Sequence, residues 1–131
     1  GHGTGHGIGE YLSVHETQVG IAHSAAYFNT PFVPGHVTSN EPGYYEVGSY
    51  GIRLESVLCV KEAQTRRGFG DRRWLSFERL TMVPIDTKLV DFALLSSSEK
   101  TWLKHHNQLC RDRLLPLVKD DKRAVRWLKR Q

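Results

Sequence analysis

Two histidines stand four residues apart at the start of this chain, His2 and His6 in Gly1-His2-Gly3-Thr4-Gly5-His6-Gly7-Ile8-Gly9. Two isolated carboxylates follow, Glu41 in Asn40-Glu41-Pro42-Gly43-Tyr44-Tyr45 and Glu55 in Gly51-Ile52-Arg53-Leu54-Glu55-Ser56. Imidazole nitrogens and carboxylate oxygens bind divalent cations and carry protons near neutral pH. A lone histidine is more often a simple hydrogen bonder, so each residue alone says little. Together they say more, because each presents its donor from a segment that reads as extended and able to neighbour the others in one sheet. A carboxylate on an interior strand face must be paired or metal-bound, since an unpaired buried charge is expensive. For Glu55, Arg53 is the partner that would need no metal.

The spacing separates these histidines from the helical His-Glu-x-x-His pair, in which two imidazoles one turn apart share an ion. In an extended chain the Cα atoms of His2 and His6 stand about 13 Å apart at roughly 3.3 Å per residue. One of them is expected to be a ligand and the other to face substrate or handle a proton.

For the donors to meet, the segments bearing them must be strands. Glycine fills every odd position from Gly1 to Gly9, so an extended chain places His2, Thr4, His6 and Ile8 on one face and bare backbone on the other. Such a face predicts a close-packed neighbour. A helix is disfavoured because each of the five glycines would cost about 1 kcal/mol relative to alanine.

After a loop at Asn29, Thr30, Pro31, Pro34 and Gly35, residues 36–45 read as a strand running into a Pro42-Gly43 turn. From Ile52 to Val60, Ile52, Leu54, Leu58 and Val60 share one face while Arg53, Glu55, Val57 and Cys59 share the other. Residues 64–73 form a loop rich in arginine and glycine, and Trp74 to Ile85 a further strand. Residues 36–85 are thus expected to form antiparallel strands of one curved sheet.

Ser96 with Glu99 is a capping-box pattern, and Trp102, His106, Leu109, Cys110, Leu114 and Leu117 recur behind it at helical spacing. This predicts a helix near 97–115, ended or kinked by Pro116. Asp120 or Asp121 then starts a helix near 121–129 that buries Val125, Trp127 and Leu128. Strands first and helices after argue for an α+β domain. Residues 1–95 would be the strands and loops that carry the donors, and 96–131 the helices.

The 131 residues, 39% hydrophobic and 24% charged, suit one modest globular core. No run of eighteen or more apolar residues is present, so no membrane span, leader or lipid anchor is expected in this stretch. The net charge of +4 conceals a division. Residues 1–60 hold one basic side chain, Arg53, against five acidic ones and five of the seven histidines, while residues 61–131 hold 17 basic against nine acidic. The half with the imidazoles is acidic, as suits a cation site. The basic excess lies dispersed over loop and helix with no reading motif, and a solvated surface explains it better than nucleic-acid binding. Cys59 and Cys110 sit in apolar contexts without zinc-finger or disulfide spacing, the pattern of reduced thiols in a cytoplasmic protein.

The glycine-histidine string, with Leu12, Val14, His15 and Glu16, then Glu41 to Tyr45, Gly51 to Glu55, and Phe77-Glu78 with Thr81-Met82-Val83-Pro84-Ile85, resembles the C-terminal part of a cytosolic-type aminopeptidase P. That is the Xaa-Pro aminopeptidase of the pita-bread (creatinase/aminopeptidase) metallopeptidases, and the resemblance runs through nearly the whole chain. Methionine aminopeptidases share Gly-His-Gly-Ile-Gly but place the next histidine closer than the nine residues from His6 to His15. The longer spacing suits aminopeptidase P or prolidase, and His-Gly-Thr-Gly-His with Glu-Pro-Gly-Tyr-Tyr suits aminopeptidase P.

The resemblance implies the C-terminal part of a pita-bread fold, a curved antiparallel sheet with flanking helices, making 1–131 a single partial domain. It implies hydrolysis of the N-terminal Xaa-Pro bond with a dinuclear metal centre and bridging hydroxide. The metals would be Mn²⁺, with Zn²⁺ or Co²⁺ as alternatives. By motif position, His6, Glu41 and Glu55 match metal ligands, Glu41 also handling the proton of the attacking water and Glu55 bridging two ions. His15 matches the histidine that stabilises the oxyanion, and His2 one that holds the proline side of the substrate. Arg53 matches an arginine that steadies the ligands.

The same resemblance puts two aspartate ligands and a further catalytic histidine upstream. Asp71, Asp86 and Asp91 sit in no matching motif. The 131-residue species alone is therefore expected to be inactive and to bind metal weakly or not at all. Expected partners are peptides with proline second, the upstream part of its own polypeptide and, in a homodimer, a second copy, with no nucleic acid and no membrane. The alternatives are a non-catalytic pita-bread module that binds peptide or protein, and a prolidase-type dipeptidase.

Overall fold

The computed structural model describes residues 2–11, 13–16, 18–24, 30–68, 70 and 73–131. Gly1, Leu12, Asn29 and Asp71 lie outside the described residues, as do Phe69 and Arg72 of the expected 64–73 loop. The chain divides into two compact units, residues 1–81 and 82–131.

In the first unit, β1 (Gly5–His6) pairs antiparallel with β2 (Gly20–Ile21), Gly5 opposite Ile21 and His6 opposite Gly20. Its other edge is bonded to β3 (Val37–Asn40). The Ile8 N–H donates to the Val37 carbonyl at 3.0 Å, Glu41 N–H donates to Thr4 carbonyl at 2.7 Å, and Gly7 bridges Thr38. The opening string is extended, as its period requires, with backbone packed on both edges. β3 pairs in turn with β6 (Ser56–Glu62), and β6 with β7 (Leu75–Arg79), all antiparallel. β4 (Gly43–Glu46) and β5 (Tyr50–Arg53) form a separate hairpin.

The strands within 36–85 are antiparallel as expected, but they fall into two ladders. The predicted 36–45 strand stops at Asn40, and Pro42-Gly43 is not a turn: β4 begins at Gly43. Pro42 has no N–H to donate, so the ladder cannot run through it. The facing strand breaks in register, since β3 ends with Asn40 opposite Ser56 while the hairpin begins with Gly43 opposite Arg53. Two residues lie in each gap, Glu41-Pro42 on one side and Leu54-Glu55 on the other. The shared face predicted for Ile52, Leu54, Leu58 and Val60 is therefore split: Leu58 and Val60 are buried, whereas Ile52 and Leu54 are about half exposed. The strand predicted over 74–85 is confined to β7.

In the second unit, α1 (Ser97–Leu114) starts at the predicted cap. Ser96 Oγ accepts from the Glu99 N–H, and the Glu99 carboxylate accepts from the Ser96 N–H at 2.8 Å, a reciprocal capping box. The helix ends before Pro116. Its buried residues are Leu103, His106, Asn107 and Cys110, whereas Trp102 is half exposed and Leu117 lies beyond the helix end in solvent. Leu103 is one residue off the predicted apolar stripe. α2 (Lys122–Leu128) is capped by Asp121 and buries Leu128, while Trp127 stays 40% exposed.

Candidate metal centre

The two-residue gaps bring the donors together. Glu41 and Glu55 lie in these gaps with their carboxylates near β1, where the backbone bonds to β3 hold His6. One ligand atom from each of His6, Glu41 and Glu55 lies within 4.8 Å of the others. These residues, with His2, His15 and Arg53, line one cavity of about 660 Å³. The structure thus brings together every residue singled out from the sequence. The His2 ring meets Tyr45 edge-on, with centroids 4.9 Å apart. The His15 ring meets that of His6 edge-on at 4.7 Å.

His6 Nδ1 lies 3.0 Å from the Gly7 carbonyl. A carbonyl only accepts, so Nδ1 carries the proton and Nε2 keeps a free lone pair in the neutral ring. Nε2 faces Glu41 Oε1 at 3.5 Å. That is too long for the charge-assisted bond of about 2.7–2.9 Å that an imidazolium would make. It is close to the spacing of roughly 3 Å expected between two neighbouring ligands on bonds of about 2.1 Å to one ion. The residues present therefore fit a divalent cation.

The surroundings hold the carboxylates ready. Ser39 Oγ donates to Glu41 Oε1 at 2.9 Å, and Arg53 reaches Glu41 Oε2 at 3.2 Å and Glu55 Oε2 at 3.9 Å. Arg53 Nε donates to the Tyr45 hydroxyl at 2.7 Å. That hydrogen bond raises the guanidinium above its ordinary value; partial burial opposes the rise, and the neighbouring Tyr45, Glu41 and Glu55 charges add to it. Tyr45 lies across the hairpin in space that only glycine leaves, since a Cβ on Gly51 would come within 2.5 Å of its ring. A Cβ on Gly5 would run into the Ser39 carbonyl, so the close approach predicted for the glycine face occurs there.

Ser39 and Tyr45 were not among the predicted site residues. Ser39 had a local signal, because it precedes Glu41 by two residues and so shares its strand face. Tyr45 had none, because its reach to Arg53 depends on the β4–β5 pairing.

Residues 1–62 match the family model described as metallopeptidase family M24, and residues 73–131 match that described as the C-terminal region of peptidase_M24. The chain belongs to metallopeptidase family M24. Proteins named "Probable Xaa-Pro aminopeptidase P" from Coprinopsis cinerea and Pyricularia oryzae are 50% and 48% identical to this M24 chain over 130 residues, 99% of its length and 21% of theirs. A crystal structure of X-prolyl aminopeptidase from Caenorhabditis elegans, described as a cytosolic enzyme with a di-nuclear active site, is 34% identical. It superimposes with a TM-score of 0.82 over 97% of this chain and 20% of its own. The M24 chain thus spans about a fifth of the length of the curated relatives it matches, and has the C-terminal part of the pita-bread fold, an α+β arrangement with antiparallel sheets and, among the described residues, two α-helices.

Proposed function

We propose that the whole protein is a metalloaminopeptidase that hydrolyses the N-terminal Xaa-Pro bond of peptides at a dinuclear centre. The observation that carries this reading is the convergence of His6, Glu41 and Glu55 within 4.8 Å in an M24 chain. In this reading His6 Nε2 and the two carboxylates are metal ligands, and 1–131 is the C-terminal part of the catalytic domain. When bound, two divalent cations, Mn²⁺ by preference and Zn²⁺ or Co²⁺ as alternatives, would supply Lewis acidity and acidify a water near neutral pH.

The chain's own residues do the rest. Glu41, 8% exposed, takes the proton of the attacking water and returns it to the leaving amine. Arg53 keeps both carboxylates oriented while itself anchored on Tyr45. His15, on the cavity wall against His6, offers a hydrogen bond to the carbonyl oxygen as charge develops there. His2, backed by Tyr45, contacts the proline side of the substrate.

The partners in this reading are peptides with proline second, the remainder of the polypeptide and a second copy in a homodimer. The proposed location is cytoplasmic. The Caenorhabditis protein is described as cytosolic, both cysteines are free, and no helix of the described residues is long and apolar enough to cross a membrane.

The test uses the full-length protein with added Mn²⁺ on Xaa-Pro tripeptides and on Xaa-Pro dipeptides. Release of the first residue from the longer peptides is expected. Cleavage confined to dipeptides would favour a prolidase, and binding without turnover a non-catalytic module. The 131-residue chain alone, holding three of the five ligands that the family resemblance implies, is expected to show no turnover.

A further inference from the structure

We propose that Ser39 is a positioning residue of the centre, its hydroxyl locking the Glu41 carboxylate to the β1 segment that carries His6. The inference rests on the metallopeptidase reading for what Glu41 is positioned to do. Ser39 is fully buried, so water does not compete for its hydroxyl. The oxygen accepts the His6 N–H at 2.9 Å and lies 2.9 Å from Glu41 Oε1.

A serine hydroxyl has one proton to give. Its other acceptor in reach is the His6 carbonyl at 3.5 Å, and that carbonyl already receives the Thr38 hydroxyl at 2.9 Å. The shorter bond to a charged acceptor takes the proton, so Thr38 serves the His6 backbone and Ser39 serves Glu41. Both bonds require β1 and β3 to be close, and the missing Cβ of Gly5 over the Ser39 carbonyl permits this. One hydroxyl thus fixes the offset between two ligand-bearing residues 35 positions apart. Arg53 alone cannot do so, because it holds the other oxygen, Oε2, and is itself 41% exposed.

The test uses full-length protein with Ser39→Ala, Ser39→Cys and Ser39→Thr. Mn²⁺ affinity is read from the electron-paramagnetic signal of the free ion, kcat and KM from an Xaa-Pro tripeptide, and Tm from calorimetry. Ser39→Ala and Ser39→Cys are expected to lower Mn²⁺ affinity, kcat or both by about 10–100-fold, the usual effect of losing a residue that orients a ligand. KM should change little. Ser39→Thr, which restores the hydroxyl, should recover both to within about threefold.

Ser39→Cys keeps the shape of serine, so it decides the matter if Ser39→Ala fails to fold. Variants that lose Tm but keep Mn²⁺ affinity and kcat would overturn the proposal, as would a Ser39→Thr protein as impaired as Ser39→Ala. If the wild type takes up Mn²⁺ but does not cleave, the peptidase reading falls while the Mn²⁺ titration still decides on Ser39. If the wild type takes up no Mn²⁺, both fall.

Discussion

His6 and His106 are both built into protein, but they spend their nitrogens differently. His106 is 5% exposed, stacked on Trp102, with Nε2 donating to the Val83 carbonyl at 2.9 Å and the lone pair of Nδ1 left to the Cys110 thiol at 3.8 Å. Beside it, Asn107 takes the Ile85 N–H on its oxygen and gives its amide protons to the Ile85 and Gln131 carbonyls. The bonds to Val83, Ile85 and Gln131 tie a loop or the C-terminus to α1. His6 commits only Nδ1 to backbone and turns Nε2 to a carboxylate held by Ser39 and Arg53. Both clusters are built around a histidine tied to backbone. What distinguishes structure from chemistry is whether the last lone pair already has a protein donor.

The largest effect that would sharpen this contrast is expected from Glu41→Gln in the full-length protein. Loss of the proton-handling group should lower kcat by about 10²–10⁴-fold while Tm falls little. Equal loss of Tm and activity would show that Glu41 is a structural group like Asn107.

Asn107→Ala should do the reverse. It leaves the part-buried Ile85 N–H and C=O without partners, at up to about 1–3 kcal/mol for each such group. Denaturant unfolding should register the loss while kcat per folded molecule stays unchanged. Tyr45→Phe should lie between, since it removes the anchor of Arg53 and leaves the packing: about tenfold in kcat, or about 1.4 kcal/mol, with Tm held. An unchanged kcat would mean that the Glu41 and Glu55 contacts alone hold Arg53.

The smallest effect concerns the helical unit. Ser96→Ala should cost about 1 kcal/mol of stability and nothing in catalysis. The Glu99 carboxyl is held below its usual value by the Ser96 hydroxyl first and then the Ser96 N–H. Its share of the cap is therefore fully present above the ordinary carboxylate value and lost as pH falls through the lowered one. Thermal melts at neutral and acid pH should show wild type and Ser96→Ala converging in the acid arm.

The donor residues and the capped helix are legible in the chain because their rules are local. Ser96 and Glu99 are three residues apart and satisfy each other, and glycine at alternate positions disfavours a helix and leaves a bare face for close packing. The break at Leu54-Glu55 is not legible, because the period-two pattern runs unbroken from Ile52 to Val60 while the change of partner from β4 to β3 is made by residues far away. Pro42 marks the matching break, but a proline beside a glycine reads equally as a turn. Leu103 escapes prediction for a similar reason: an apolar stripe can be drawn through Trp102 or through Leu103, and packing alone chooses. The Tyr45 to Arg53 bond needs the hairpin register, with Gly43 opposite Arg53.

The central claim, that His6, Glu41 and Glu55 form one metal-binding half-site, is tested most directly by anomalous diffraction at the manganese edge from crystals of the full-length protein grown with Mn²⁺. The account predicts two peaks in the cavity, with His6 Nε2 and oxygens of Glu41 and Glu55 at about 2.0–2.3 Å from them. Peaks elsewhere, or none while Glu41 and Glu55 stay paired only with Arg53, would contradict it.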